Sequence, residues 1–310
     1  MKVVILKGSE IYRMKKEKIF KEISNYKKIL EDKGYKVIYI GLYGSQNYNV
    51  DDELSDIDVK AIILPNLHDI IFRKVTSKTI ECENGSIDVK DLITFYDVVK
   101  KGNFNYIESI DTEYFIGDKY IKKLFKQFRP NLKSILGAMY EKRKALTHEY
   151  PSKKEEFEKW GFDPKQYHHI VRLLDLLKYN NENKTSKSYL KYDEIMAMQM
   201  INLKRNSING KSFYSKLDAE TLADECIEQA KKMISGDYKY DAINIDTEIS
   251  KYIEEKIKLE LINNNQTTYA RQYRTFGAPI PNKDLEKFPV LKNYVGQDVS
   301  YIVYESIEIL

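Results

Sequence analysis

The chain has 310 residues, 42% of them hydrophobic and 32% charged, with a formal net charge of +4. That balance describes a soluble globular protein long enough for two domains, or for one large one with an extension. So small a net charge excludes coating of nucleic acid by bulk charge, although local basic patches stay open to it. No apolar stretch reaches membrane-spanning length, and the short run after Met1 meets Lys7 and a charged segment at once, unlike a signal peptide. The two cysteines, Cys82 and Cys226, lie far apart with no metal-type spacing. The expected location is therefore a reducing cytoplasm, with no membrane partner.

In chain order, residues 10–34 carry Ile11, Met14, Ile19, Phe20, Ile23, Tyr26 and Leu30 at helical spacing and stop at Gly34. This predicts a helix packed on a sheet. Val37–Ile40 follows as an apolar strand, expected over 36–43. It ends in Gly44-Ser45, a small pair that lets backbone approach a ligand and leaves amide N–H groups free to face an anion. The run Ser55–Leu64 reads as the next strand. Alternation sets Asp56 and Asp58 on one side and Ile57 and Val59 toward the core. Two neighbouring carboxylates repel and are costly to desolvate. A divalent cation removes both penalties, and Mg2+ characteristically takes a few carboxylates together with substrate phosphates.

Pro65–Asp69 reads as a connection, with His68 a surface histidine. Residues 75–92 predict a hairpin turning at Asn84-Gly85. On its second strand Asp88 sits between Ile87 and Val89, repeating the pattern of Asp56 and Asp58. Beside that pair it is expected to join the metal site or to act as general base.

From residue 93 the pattern turns helical, over 93–101, 104–111, 119–128 and 131–148. Arg143 and His148 have a spacing also found in small helical ribonucleases, but five residues along a helix set them on different faces. A further helix opens at Asp163-Pro164, a cap and first-turn pair. Along it Lys165, His169 and Arg172 form a stripe beside His168, opposite the apolar Ile170, Leu173, Leu174 and Leu177. The stripe is either a solvated basic face or the wall of a cleft that neutralises a triphosphate; spacing alone does not choose. The methionine-rich stretch 190–204 is expected in the core, and helices are expected at 217–235 and 245–263. In the remainder, Tyr269, Arg271, Tyr273 and Arg274 suit either packing or stacking on a nucleic-acid strand.

Gly44-Ser45, then Asp56-x-Asp58, then Asp88 on a later strand resemble the DNA-polymerase-beta-type nucleotidyltransferase superfamily. The segments Lys101–Glu108 and Pro164–Leu174, and the helices near 217–262, are similar to a bacterial and phage branch that includes RNA-ligase-associated polymerases. The likeness spans residues 36–262. It implies an α+β fold, a mixed sheet with flanking helices followed by a mostly helical domain, divided as 1–115 (catalytic), 116–263 (helical) and 264–310 (extension). It further implies that Gly44 and Ser45 hold the β- and γ-phosphates and that Asp56 and Asp58 bind two Mg2+ ions, with Mn2+ an acceptable substitute. Asp88 would bind the catalytic ion, and Lys165, His169 and Arg172 would contribute to nucleotide binding. Where the family often has an aromatic–glycine pair after Gly-Ser, this chain has Asn47-Tyr48-Asn49.

The expected activity is transfer of a nucleoside monophosphate from an NTP, ATP favoured, to an RNA or tRNA 3′ hydroxyl, with release of pyrophosphate. The alternatives are a metal-independent ribonuclease using Arg143 and His148, and a non-catalytic nucleotide- or RNA-binding module. Oligomeric state leaves no mark in the sequence.

Overall fold

The computed structural model describes residues 8–53, 55–208, 211–235, 238–264, 269–275, 285–286, 292 and 299–305. The chain divides into two compact units, Met1–Asn244 and Ile245–Leu310.

The first unit opens with α1 (Gly8–Asp32), in which Ile19, Ile23, Tyr26 and Leu30 fall at helical spacing and are all buried. They share one core with Ile40, Leu42, Val59, Ala61 and Ile87 of the strands, so α1 covers one face of the sheet. The chain continues through β1 (Val37–Tyr43), a single helical turn α2 (Ser45–Tyr48), β2 (Asp58–Ile63), α3 (Leu67–Ile71), β3 (Ser77–Cys82) and β4 (Gly85–Asp91). Next come α4 (Leu92–Lys100), α5 (Phe104–Asp111) and β5 (Phe115–Gly117). The sheet order is β3-β4-β2-β1-β5, antiparallel throughout except for the parallel pair β2–β4. Parallel neighbours need a crossover, which α3 and β3 supply. Helices α4 and α5 pack against strands of the same sheet. This is the α+β, mixed-sheet architecture expected from the sequence.

The helical part follows as α6 (Lys119–Phe125), α7 (Leu132–Leu146), α8 (Lys154–Trp160), α9 (Pro164–Glu182), α10 (Glu194–Arg205) and α11 (Lys216–Ile234). A short pair, β6 (Ser207–Ile208) and β7 (Lys211–Ser212), links the last two. Helix α9 starts as its sequence dictates: Asp163 accepts a hydrogen bond from the Lys165 amide and Pro164 occupies the first turn. It packs on α7, α10 and α11, and Leu173, Leu174 and Leu177 share a core with Met139, Met200, Ala223 and Ile227. Tyr48, Val50 and Phe104 belong to that same core, which joins the helices to the end of the sheet where the conspicuous motifs lie. The second unit contains α12 (Asp246–Asn264) and an antiparallel pair, β8 (Tyr269–Thr275) with β9 (Val299–Glu305).

Two expectations need correction. The connection at 65–69 is partly helical, because Asn66 caps α3 by accepting from the Asp69 amide. The methionine-rich segment is not buried throughout: α10 buries Ala197, Met200 and Leu203 but exposes Ile195, Met196 and Met198. A single helix packed on one side hides only one stripe, however apolar its other face.

Candidate active site

The turn after β1 is built around a carboxylate. Gly44 adopts φ +102°, in the left-handed half of conformational space. Its amide donates to Glu108 Oε1 at 2.7 Å. Asn47 Nδ2 donates to the same oxygen at 3.0 Å, and the Tyr48 hydroxyl donates to Glu108 Oε2. Glu108, on α5, is fully buried. Burial pushes its pKa up, while Arg172, Tyr48, Gly44 and Asn47 pull it back. Burial prevails and leaves its pKa raised.

Two sequence expectations change here. The Gly44 amide is committed to Glu108 and is not free for an anion. A Cβ added at Gly44 would meet nothing within 4 Å, so the backbone angle and not close approach selects glycine. Within the Asn47-Tyr48-Asn49 segment, Asn47 and Tyr48 are what grip Glu108. Asn47 Oδ1 also accepts from Thr112 at 2.7 Å.

The strand acids come next. Ile57 and Val59 are buried, so alternation sets Asp56 and Asp58 on the opposite side, as expected. Gln46 Nε2 donates to the Asp56 carbonyl at 2.6 Å, tying the approach to β2 against α2. Asp58 Oδ1 accepts from the Ser86 amide at 3.0 Å and the Ser86 hydroxyl at 2.7 Å. The turn into β4 runs close beneath: a Cβ on Gly85 would lie 2.3 Å from the Ile57 carbonyl oxygen, so no other residue fits.

Gly44, Ser45, Asp56, Asp58, Lys165, His169 and Arg172 all line one cavity of about 460 Å³, a usual size for a small-molecule site. Seven Lys and Arg side chains reach its lining against two carboxylates. Lys142 of α7, Lys153, and Lys204 and Arg205 of α10 were not singled out in the sequence. Lys204 and Arg205 pair with Asp52, Arg205 through two bonds of 2.7 Å. Among the described residues Lys142, Lys165 and Arg172 make no ion pair.

Beyond Lys165, which is exposed, the basic stripe on α9 is therefore no solvated face. Arg172 is 5% exposed and His168 2%. The Arg172 guanidinium lies over the Tyr48 ring at 4.0 Å, and its Nε and Nη1 have no hydrogen-bond partner. Both ring nitrogens of His168 and Nδ1 of His169 are likewise buried and unpartnered. Burial first, then the surrounding positive charge, holds both imidazoles well below their usual pKa, so both are neutral. Buried nitrogens converging on a positive cavity can donate hydrogen bonds to an anionic group there.

Asp88 stands apart from this group and is not on the cavity lining. In the parallel register it lies level with Lys60, two residues beyond Asp58, or about 6.6 Å at a rise of ~3.3 Å per residue. Its Oδ2 accepts from Lys60 Nζ at 2.8 Å and from the Tyr106 hydroxyl at 2.6 Å. Burial works against the charged form, but Lys60, Tyr106 and Lys90 together outweigh it and keep the carboxyl below its ordinary range. It is Lys60, and not Asp88, that reaches the cavity.

The donor set bears on the metal that the resemblance implies. Asp56 and Asp58 line the same cavity, and among the described residues neither carboxylate has a cationic partner, which suits an oxygen-seeking ion. Among the described residues no group of three or more His, Cys, Asp and Glu side chains is arranged to hold a metal ion. The pair suits such an ion, and among the described residues the trio is not gathered around a common point.

The residues of the ribonuclease alternative lie elsewhere. Arg143 binds Asp224 through Nε at 2.7 Å and Nη2 at 3.0 Å. His148, past the end of α7, sits edge-on to Tyr150. The side chains of Tyr269, Arg271, Tyr273 and Arg274 lie outside the described residues. No described helix is long and apolar enough to cross a membrane.

No family model and no curated protein matches the chain. Among solved structures it is similar to a nucleotidyltransferase-like protein from Exiguobacterium sibiricum 255-15. The identity is 12%, covering 88% of this chain and 94% of that one, with a TM-score of 0.23.

Proposed function

We propose that the cavity is the active site of a metal-dependent nucleotidyltransferase acting on an NTP, with ATP the favoured donor and an RNA or tRNA 3′ hydroxyl the acceptor. The observation that carries this reading is the opposition of charges across one cavity. The carboxylates of Asp56 and Asp58, neither ion-paired among the described residues, line the same cavity as His168, His169 and Arg172 with their unpartnered buried nitrogens.

Asp56 and Asp58 would hold Mg2+ or Mn2+, which when bound neutralises phosphate charge and aligns the donor. Arg172, Lys165 and Lys142 bind and orient the triphosphate, and the neutral imidazoles of His168 and His169 donate hydrogen bonds without adding charge. The acceptor oxygen forms a bond to the α-phosphorus as the bond to the α–β bridging oxygen breaks. The electron pair leaves on pyrophosphate, and the acceptor's proton passes to solvent. Arg172 and Lys165 stabilise the charge that gathers on the leaving group.

The test is to mix the full chain with α-labelled ATP, Mg2+ and RNA or tRNA acceptors. Label should pass to the acceptor 3′ end, and Asp58→Ala should abolish it. Undiminished transfer by Asp58→Ala would overturn the proposal, as would NTP binding without turnover across a broad acceptor screen.

A further inference from the structure

The arrangement around Asp88 does not match the part that the resemblance gives it. A third carboxylate sharing an ion with Asp58 should lie level with it on the neighbouring strand. The residue hydrogen-bonded there is Ser86, through its amide and its hydroxyl. Asp88 is level with Lys60 instead. Asp88 Oδ2 already accepts from Lys60 Nζ and from Tyr106, and Oδ1 lies 3.9 Å from Lys90 Nζ. A divalent ion at Asp88 would have to displace an ammonium and a phenol from the same oxygen.

Lys60 is held as firmly as a ligand-binding group can be. It is 4% exposed, and its ammonium lies 4.0 Å from the centre of the Tyr43 ring and 4.1 Å from that of Tyr106. Two aromatic faces and one carboxylate fix the position of the charge. From there the side chain reaches the same cavity lining as Asp56, Asp58 and Arg172.

We propose that Lys60 supplies the positive charge that a second metal ion would otherwise bring, with Asp88 as its positioning counter-ion, so that the chain takes a single divalent cation on Asp56 and Asp58. The inference rests on the nucleotidyltransferase reading and sharpens it. In this arrangement the Lys60 ammonium donates to a phosphate oxygen of the donor nucleotide, and Asp88 acts only through Lys60. A fixed ammonium can stand in a fixed place for a cation, whereas a second ion would need oxygen ligands that Asp88 does not offer.

The experiment counts ions and measures nucleotide affinity separately on the full chain. Mn2+ alone is titrated with electron paramagnetic resonance of the free ion. ATP affinity is measured by calorimetry in Mn2+. The expected result is one tight Mn2+ site per chain, lost in Asp58→Asn and retained in both Asp88→Asn and Lys60→Met. Lys60→Met and Asp88→Asn should each weaken ATP about tenfold, the double variant should be no worse than either single, and Lys60→Arg should restore binding. The double variant also removes the stranded buried charge that could unfold a single variant. Two Mn2+ sites in the wild type, one of them lost in Asp88→Asn, would overturn the role of Lys60 and leave the nucleotidyltransferase reading standing. Unchanged ATP affinity in Lys60→Met would overturn it in the same way. A wild-type chain that binds no Mn2+ would overturn the metal-dependent reading and the inference together.

Discussion

Replacing Glu108 by alanine should loosen the turn on which the candidate site is built. Its carboxylate accepts from the Gly44 amide, Asn47 and Tyr48 and lies in the field of Arg172. A hydrogen bond to a charged group contributes about 1.5–3 kcal/mol, so three independent ones would contribute about 4.5–9 kcal/mol. They are not independent, since they share one carboxylate beside a cavity that water can enter. The expected loss is closer to the ~3–5 kcal/mol that follows from removing one partner of a buried charged network. Glu108→Gln keeps an acceptor for Gly44 and Asn47, and the Tyr48 hydroxyl can turn to accept; about 1–2 kcal/mol should suffice there. Urea unfolding followed by the fluorescence of Trp160, the single tryptophan, measures both. An alanine variant within about 1 kcal/mol of the wild type, or a glutamine variant as damaged as the alanine one, would show that the buried charge does not organise the turn.

Three more outcomes are expected. Gly44→Ala should lower the free energy of urea unfolding by about 1–3 kcal/mol, because the strain comes from φ +102° and not from a clash; an unshifted midpoint would refute this. Arg172→Met should weaken ATP about ten- to a hundredfold in calorimetry through loss of charged hydrogen bonds, and unchanged affinity would mean that the unpartnered guanidinium meets no phosphate. Lys122 is buried, donates to the Thr112 carbonyl, and has its pKa lowered by burial to about 8. Between that value and the ~10.4 of an unfolded lysine, the unfolded chain binds the extra proton, so stability should rise with pH across this window. Lys122→Met should flatten that rise relative to the wild type, and equal pH slopes would remove Lys122 as its source.

Most elements were legible because their periods are long and clean. Helix α1 has four buried positions in register, and the Asn84-Gly85 turn fixes β3 and β4. Strand β5 has three residues, too few for a period to show. What a single sequence cannot carry is register between strands. Asp88 has the same alternating neighbours as Asp56 and Asp58, yet the parallel pairing sets it level with Lys60, and nothing local to residues 86–90 records that offset. The same limit applies to Lys142 and Lys204, which meet α9 only through packing of helices distant in sequence. Glu108 did leave a signal. It shares one helical stripe with Phe104 and Ile107, and a carboxylate on an apolar stripe calls for partners that only the fold reveals.

The segment after α2 is pinned to the helices at several points. The Tyr192 amide donates to the Tyr48 carbonyl at 3.0 Å and Asn49 Nδ2 to the Tyr192 carbonyl at 3.3 Å. Lys204 donates to Ser55 Oγ at 2.8 Å, while Arg205 clasps Asp52. Swinging the helices away from the sheet would sever all of these together with the Arg172–Tyr48 stack. On the proposed reading, a nucleotide would enter and products would leave with these contacts in place, through rearrangement of side chains at the rim.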